Sequence, residues 1–183
     1  MHWIDPACLP ETRGRVSRFL VNPHGDVDGM ILDGHLQVHL PPHLGRALTR
    51  TVKEGDRIRV RGIKPRGANI IAAVLVTAAN GRQILDEGPG HAPAAAAHRR
   101  DKPMEASGEV QQPLYGPKGE LRGALLTDGT SLRMPPHAAD ALADYLRPGV
   151  HVQIWGRGLS TRHGKTIEVS DIAELVDSTG STS

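Results

Sequence analysis

Three arginines, Arg57, Arg59 and Arg61, occupy alternating positions in this sequence. Side chains two residues apart lie on the same face of a β-strand, so these guanidinium groups face one side while Ile58 and Val60 face the other. A guanidinium group is a planar fork that bonds two phosphate oxygens at once. The pattern predicts a phosphate-binding strand face, with an ordinary solvated surface as the alternative.

More basic side chains lie close to this strand in the sequence. Residues 13–78 hold eleven Lys and Arg against five Asp and Glu, a net charge of +6, whereas residues 108–176 hold seven against eight, a net charge of −1. Because the whole chain carries only +2, its positive potential belongs mainly to the first half. The further basic candidates are Lys64 and Arg66 in the following loop, and Arg15 in an earlier strand, where Arg13 and Arg18 add to the positive charge.

Histidines provide a second possible surface. His35, Gln37 and His39 alternate along a predicted strand, facing away from the apolar Leu36 and Val38. A structural or catalytic metal needs three or four converging ligands, which two histidines on one strand do not supply. We therefore predict no metal and no other cofactor, and expect these three polar side chains to line a binding face.

Aromatic residues are scarce, at 3% of the chain. The candidates for base stacking or for contact with a partner are Phe19, Tyr115 and Trp155. Phe19 is out of phase with the inward-facing Val16 and Leu20, which predicts an exposed ring. Trp155 is also predicted to face outward, where it stacks on a base or, as we favour, packs against the other half of the protein or a second chain.

The sequence contains no enzyme signature of the GxSxG, HExxH or GxxxxGK[ST] type, and its single cysteine, Cys8, precedes the first predicted strand. It has no apolar run of the roughly 18 residues that a membrane span needs, and its start lacks the pattern of a secretory signal. We therefore expect a noncatalytic, cytoplasmic protein that does not enter membranes.

An internal repeat organises these candidates. When the chain is shifted by 94 positions, residues 14–62 align with residues 108–156 without a gap, and fourteen of the 49 pairs are identical. The shared features include a Pro-Pro-His sequence, at 41–43 and 135–137, which precedes a short helical stretch. The chain therefore contains a duplicated unit.

Each copy reads as three strands, a short helix and two strands, with an Asp-Gly hairpin signal between the second and third strands. This element order resembles the OB-fold, a five-stranded Greek-key barrel, and the resemblance covers about 130 residues. An SH3-like barrel is the competing interpretation, but it would not need the helix at 43–52. We thus predict an all-β protein with short helices, built as two tandem OB-fold-like barrels.

The predicted organisation has five parts. They are an N-terminal head at 1–12, a basic first barrel at 13–78, a Pro/Gly/Ala-rich flexible linker at 79–107, a near-neutral second barrel at 108–176 and a disordered tail at 177–183. OB-folds commonly bind single-stranded nucleic acid, which implies single-stranded DNA or RNA as the partner of the basic barrel. The alternative is a protein–protein adaptor or a self-associating module that uses the second barrel.

Overall fold

The computed structural model describes residues 8–85 and 101–176, which form two β-barrels in succession. The first barrel comprises β1 Glu11–Val21, β2 Val27–Leu32, β3 Leu36–His39, α1 Pro42–Thr49, β4 Arg57–Ile63, β5 Ile70–Thr77 and β6 Gln83–Leu85. The second comprises β7 Lys102–Tyr115, β8 Leu121–Leu126, β9 Ser131–Arg133, α2 Pro136–Ala141, a 3-10 helix at Ala143–Leu146, β10 His151–Thr161 and β11 Gly164–Glu174.

Both barrels close in the same way. In the first, the strands are hydrogen-bonded in the order β3-β2-β1-β4-β5, and a parallel pairing of β3 with β5 closes the ring. In the second, the order is β9-β8-β7-β10-β11, and β9 pairs in parallel with β11. This order, with a helix between the third and fourth strands, is that of an OB-fold barrel. The predicted tandem of two five-stranded OB-fold-like barrels is confirmed.

The hairpin between β2 and β3 shows how local sequence sets the path of the chain. Asp33 and Gly34 both adopt positive φ, 52° and 79°, and the amide of His35 donates to the carbonyl of Leu32 over 3.1 Å. Two successive positive φ values define the tight turn that matches the twist of paired strands, and an Asp-Gly sequence favours it. The turn fixes the register of β3 against β2.

Alternating apolar side chains fill each barrel with its own core. Fully buried examples in the first barrel are Met30, Val38, Leu48 and Val60. In the second, they are Leu126, Leu132, Ile154 and Ile167. Each such side chain contributes about 1.5–3 kcal/mol relative to an exposed position, so the two barrels are stabilised by apolar burial rather than by aromatic packing.

The structure differs from the predicted linker at 79–107. Strand β6 lies inside this interval, where it pairs with β5 and adds the buried Ile84 to the first core. Strand β7 starts at Lys102, and its first residues pair with β10 and bring Met104 against the second core. Because the interval is polar and contains proline, its composition did not predict these two strand segments. The remaining part of the predicted linker, 86–100, and the tail at 177–183 lie outside the described residues, as do residues 1–7 of the head.

Phe19 corrects the predicted phase of β1. Its ring is only 3% exposed and belongs to the first core, while the adjacent Leu20 is also buried. The cause is a β-bulge at Ser17, where the pairing with β2 shifts between Val16 and Arg18. A bulge inserts one residue and breaks the two-residue alternation, which places Phe19 on the inner side.

Among residues 8–85 and 101–176, no helix is long and apolar enough to cross a membrane.

Candidate nucleic-acid interface

Basic residues of β1 and β4 form an arginine ladder on the outer surface of the first barrel. The antiparallel register places Arg13 opposite Arg59 and Arg15 opposite Arg57. Directly opposed side chains on one sheet face have Cβ atoms about 4.5–5.5 Å apart. We use the name arginine ladder for these four residues, whose guanidinium groups therefore lie within a small area.

Few negative charges balance the ladder. Glu11 pairs with Arg13 over 3.6 Å at one end, but the Arg13 side chain stays 74% exposed. Asp33 lies beside the other end, where its Oδ1 accepts the backbone amide of Arg15 over 3.0 Å. Within the described part of the chain, no carboxylate forms an ion pair with Arg15, Arg57 or Arg59. Opposed like charges destabilise a sheet, so the ladder lowers stability in the absence of an anion.

A groove of about 890 Å³ runs along the ladder. All four arginines line it, together with Asp33, the polar Ser17 and Thr77, the buried Ile58 and Ala78, and the exposed Ala79. This combination offers cations to a phosphate chain, with Ala79 as the exposed apolar residue beside them. No aromatic side chain of the described residues lines the groove, so it offers no ring on which a base stacks.

Arg61 differs from the other arginines of β4. It lies opposite Glu11, with its Nη2 3.8 Å from the carboxylate, and its Nη1 donates to the carbonyl of Leu9 over 2.7 Å. Its side chain is 31% exposed. The structure thus keeps Arg61 on the predicted strand face but ties it to the start of β1.

The second barrel has lost the ladder at the equivalent positions. There Ser107 lies opposite Gln153, and Glu109 lies opposite His151 with its Oε1 3.3 Å from the His151 Nε2. Trp155, which replaces Arg61, lies opposite Glu105. The same two strands therefore present four guanidinium groups in one copy and a mixed, partly acidic surface in the other.

Lys64 and Arg66 are exposed in the loop that follows β4. This loop lies against the first turn of the second barrel, because a Cβ on Gly119 would come within 3.1 Å of the Pro65 side chain. The two basic groups consequently lie beyond the Arg61 end of β4 rather than inside the groove. They remain predicted contacts.

The β2–β3 face, which was expected to carry a ligand, is instead packed against the second barrel. Gln37 is only 3% exposed, its Nε2 donates to the carbonyl of Tyr115 over 2.9 Å, and its Oε1 accepts the Tyr115 amide over 2.8 Å. His35 is exposed at the rim, where its carbonyl accepts Gln112 Nε2 over 3.0 Å. Sequence reasoning missed this because a buried interface between barrels leaves no local pattern.

A largely buried ion pair crosses the same interface. The guanidinium of Arg133 holds both carboxylate oxygens of Asp28, at 2.9 and 3.2 Å, and also donates to the carbonyl of Val21 over 3.1 Å. The side chains of the pair are only 15% and 12% exposed. Paired hydrogen bonds of this geometry are among the strongest between side chains.

His39 lies next to this ion pair. Burial lowers the pKa of His39 from its usual value of 6.5, Asp28 and Glu120 oppose that shift, and Arg133 and Arg122 add to it. The imidazole is therefore neutral near pH 7 and belongs to the barrel interface rather than to an exposed binding face.

The interface between the barrels is formed by equivalent residues of the two copies. Its apolar centre consists of Leu20 and Ile31 from the first barrel and Leu114 and Leu125 from the second. These residues form two pairs that are each 94 positions apart, so equivalent faces of the two copies contact each other as in a symmetric dimer. These faces are buried, whereas the arginine ladder stays on the outer surface of β1 and β4.

Trp155 and Tyr115 have different environments. The Trp155 side chain is 41% exposed, and its neighbours across the sheet are Glu105 on β7 and Asp171 on β11. Tyr115 is half-buried, with its backbone held by Gln37. The outward direction predicted for Trp155 agrees with the structure, but its nearest strand neighbours are acidic rather than apolar.

Among the described residues, no three or more His, Cys, Asp or Glu side chains converge as metal ligands.

A Gly164-Lys165-Thr166 sequence matches the end of a phosphate-binding loop, but it opens β11 instead of a helix, and Thr166 is fully buried. It therefore lacks the helix N-terminus on which that motif depends.

Comparisons with known proteins assign no family. No protein-family model matches the chain, and no curated protein matches it. One solved structure that it resembles is a deletion mutant of the single-stranded DNA binding protein from Thermus aquaticus, with 13% sequence identity and a TM-score of 0.30 over 91% of this chain and 93% of that one. The description of the fold and of the candidate site therefore rests on the barrels themselves.

Proposed function

We propose that this protein is a noncatalytic binding protein that holds single-stranded DNA or RNA by its phosphates on the arginine ladder. The observation that carries the proposal is the register of β1 and β4, which opposes Arg13 with Arg59 and Arg15 with Arg57. Such an arrangement costs stability in the free protein and is relieved by a bound polyanion.

The groove favours a single strand over a duplex. It follows the four arginines of β1 and β4, so a flexible single strand is able to lay successive phosphates along them. Duplex DNA is stiff over about 150 base pairs and does not bend into a cavity of this kind without cost. Because arginine forks supply the main contacts, binding is expected to be indifferent to sequence and strongly dependent on salt.

Fluorescence anisotropy with labelled single-stranded DNA and RNA of one mixed sequence tests the proposal at about 50 mM and about 200 mM salt. Four phosphate contacts on a single strand give a slope of about −3 in log K against log salt concentration. The double variant Arg57→Gln/Arg59→Gln is expected to make that slope less steep by about 1.4, because two contacts are lost.

The matched control removes two arginines elsewhere. Arg50 and Arg147 are exposed and lie outside the groove, so Arg50→Gln/Arg147→Gln changes the net charge equally. The control should keep the wild-type slope. If the wild type binds neither strand at low salt, or if the two double variants lose affinity equally, then the arginine ladder is not a nucleic-acid site.

Trp155 supports a second candidate function, the docking of a protein partner. An indole that is 41% exposed between Glu105 and Asp171 suits a partner with a basic side chain beside an apolar one. Pull-down with the full chain and with Trp155→Ala tests it. Loss of a captured protein in the variant supports the adaptor function, and equal capture by both forms contradicts it.

A further inference from the structure

The tip of the β10–β11 hairpin leaves the second barrel and rests on the first. The His163 ring meets the Phe19 ring edge-on, with centroids 5.4 Å apart. A Cβ placed on Gly164 would lie 3.9 Å from the side chain of Val21 in β1. The hairpin tip is therefore part of the surface next to β1.

This contact creates a second groove, of about 510 Å³, between the barrels. Its basic groups are Arg18 from β1 and Arg162 and Lys165 from the hairpin, with His163 beside them. Its carboxylates are Glu54 and Asp128, and Asp128 Oδ1 accepts the Thr130 amide over 2.9 Å within its own turn. Arg162 Nε donates to His163 Nε2 over 3.4 Å.

The two grooves meet at Ser17. This residue lines both of them, and it is the bulge residue of β1, exposed, with its Oγ accepting the Gly34 amide over 2.7 Å. On one side of Ser17 lies the arginine ladder, and on the other lie Arg18, Arg162 and Lys165. Basic side chains thus follow one another from the first barrel onto the hairpin of the second.

We infer that the binding site is composite, with the single strand continuing past Ser17 into the groove between the barrels, where Arg162 and Lys165 hold additional phosphates. The inference rests on the proposed function of the arginine ladder. It assigns the second barrel a direct role in the site, although the positions equivalent to the ladder hold no arginine there.

Oligonucleotide length separates the two parts of the site. Anisotropy is measured with labelled single strands of about 4 and about 16 nucleotides, the limits found for one OB barrel. With the longer strand, Arg162→Gln/Lys165→Gln is expected to make the salt slope less steep by about 1.4, since two phosphate contacts are lost. With the shorter strand, which the ladder alone accommodates, the variant should equal the wild type.

Arg162 and Lys165 are exposed, so these substitutions do not disturb the core, and Arg50→Gln/Arg147→Gln again controls for net charge. If the hairpin variant keeps the wild-type slope with the long strand while Arg57→Gln/Arg59→Gln reduces it, the composite site is overturned and the ladder stands. If the wild type binds no single strand at all, the proposed function itself has failed.

Discussion

Gln37 in the first barrel and Tyr115 in the second are joined by two reciprocal hydrogen bonds, in which the Gln37 amide donates to the Tyr115 carbonyl over 2.9 Å and accepts the Tyr115 amide over 2.8 Å. The side chain thus satisfies both backbone groups of Tyr115 much as a paired strand would. Because Gln37 is 3% exposed, this pairing is shielded from water.

Gln37→Ala is expected to lower the free energy of unfolding by about 2–4 kcal/mol, because it leaves a buried donor and a buried acceptor without partners. Urea unfolding measures the change. Gln83→Ala, at an exposed position of β6, is the matched control and should stay within about 0.5 kcal/mol of the wild type. A Gln37 variant as stable as this control would show that the barrels are not held together in this way.

Removing one partner of the Asp28–Arg133 pair should also lower the free energy of unfolding. Arg133→Met leaves the Asp28 carboxylate buried and unpaired, with an expected loss of about 3–5 kcal/mol. The double variant Asp28→Asn/Arg133→Met should lose less than the sum of the two single variants, since no charge remains unpaired. A double-mutant cycle in urea checks this, and strict additivity would contradict a direct interaction.

The lowered pKa of His39 makes stability depend on pH in a defined direction. Below its ordinary pKa of 6.5, the imidazole binds a proton in the unfolded chain more readily than in the folded protein. The unfolded state then holds more protons, so the free energy of unfolding falls as the pH drops below 6.5. Unfolding curves above and below that pH should show a smaller decrease for His39→Gln, and equal decreases in both proteins would remove His39 as the cause.

Gly45 allows helix α1 to pack closely on β2. A Cβ at this position would lie 1.9 Å from the carbonyl oxygen of Val27, so the backbone of one element has to move. Gly45→Ala is expected to destabilise by about 1–3 kcal/mol despite the better helix propensity of alanine. Thermal unfolding measures it. Gly108→Ala is the control, because its Cβ would meet Leu126 only at 3.7 Å, and it should be neutral or slightly stabilising.

The sequence by itself was enough to determine the architecture. The 94-residue offset, the Asp33-Gly34 turn and the alternation of Ile58 and Val60 are local or periodic signals, and each depends on backbone preferences that any fold must respect. The outward direction of Arg57 and Arg59 followed from the same two-residue period.

Tertiary structure alone decided which polar residues are accessible. Gln37 and His39 have the pattern of an exposed strand face, yet both lie at the interface with the second copy, because packing between equivalent faces depends on contacts such as Gln37–Tyr115, 78 positions apart in the chain. Arg13 became a member of the site only through its register opposite Arg59. The bulge at Ser17 likewise reversed the phase of Phe19, since one inserted residue moves every following side chain to the other face.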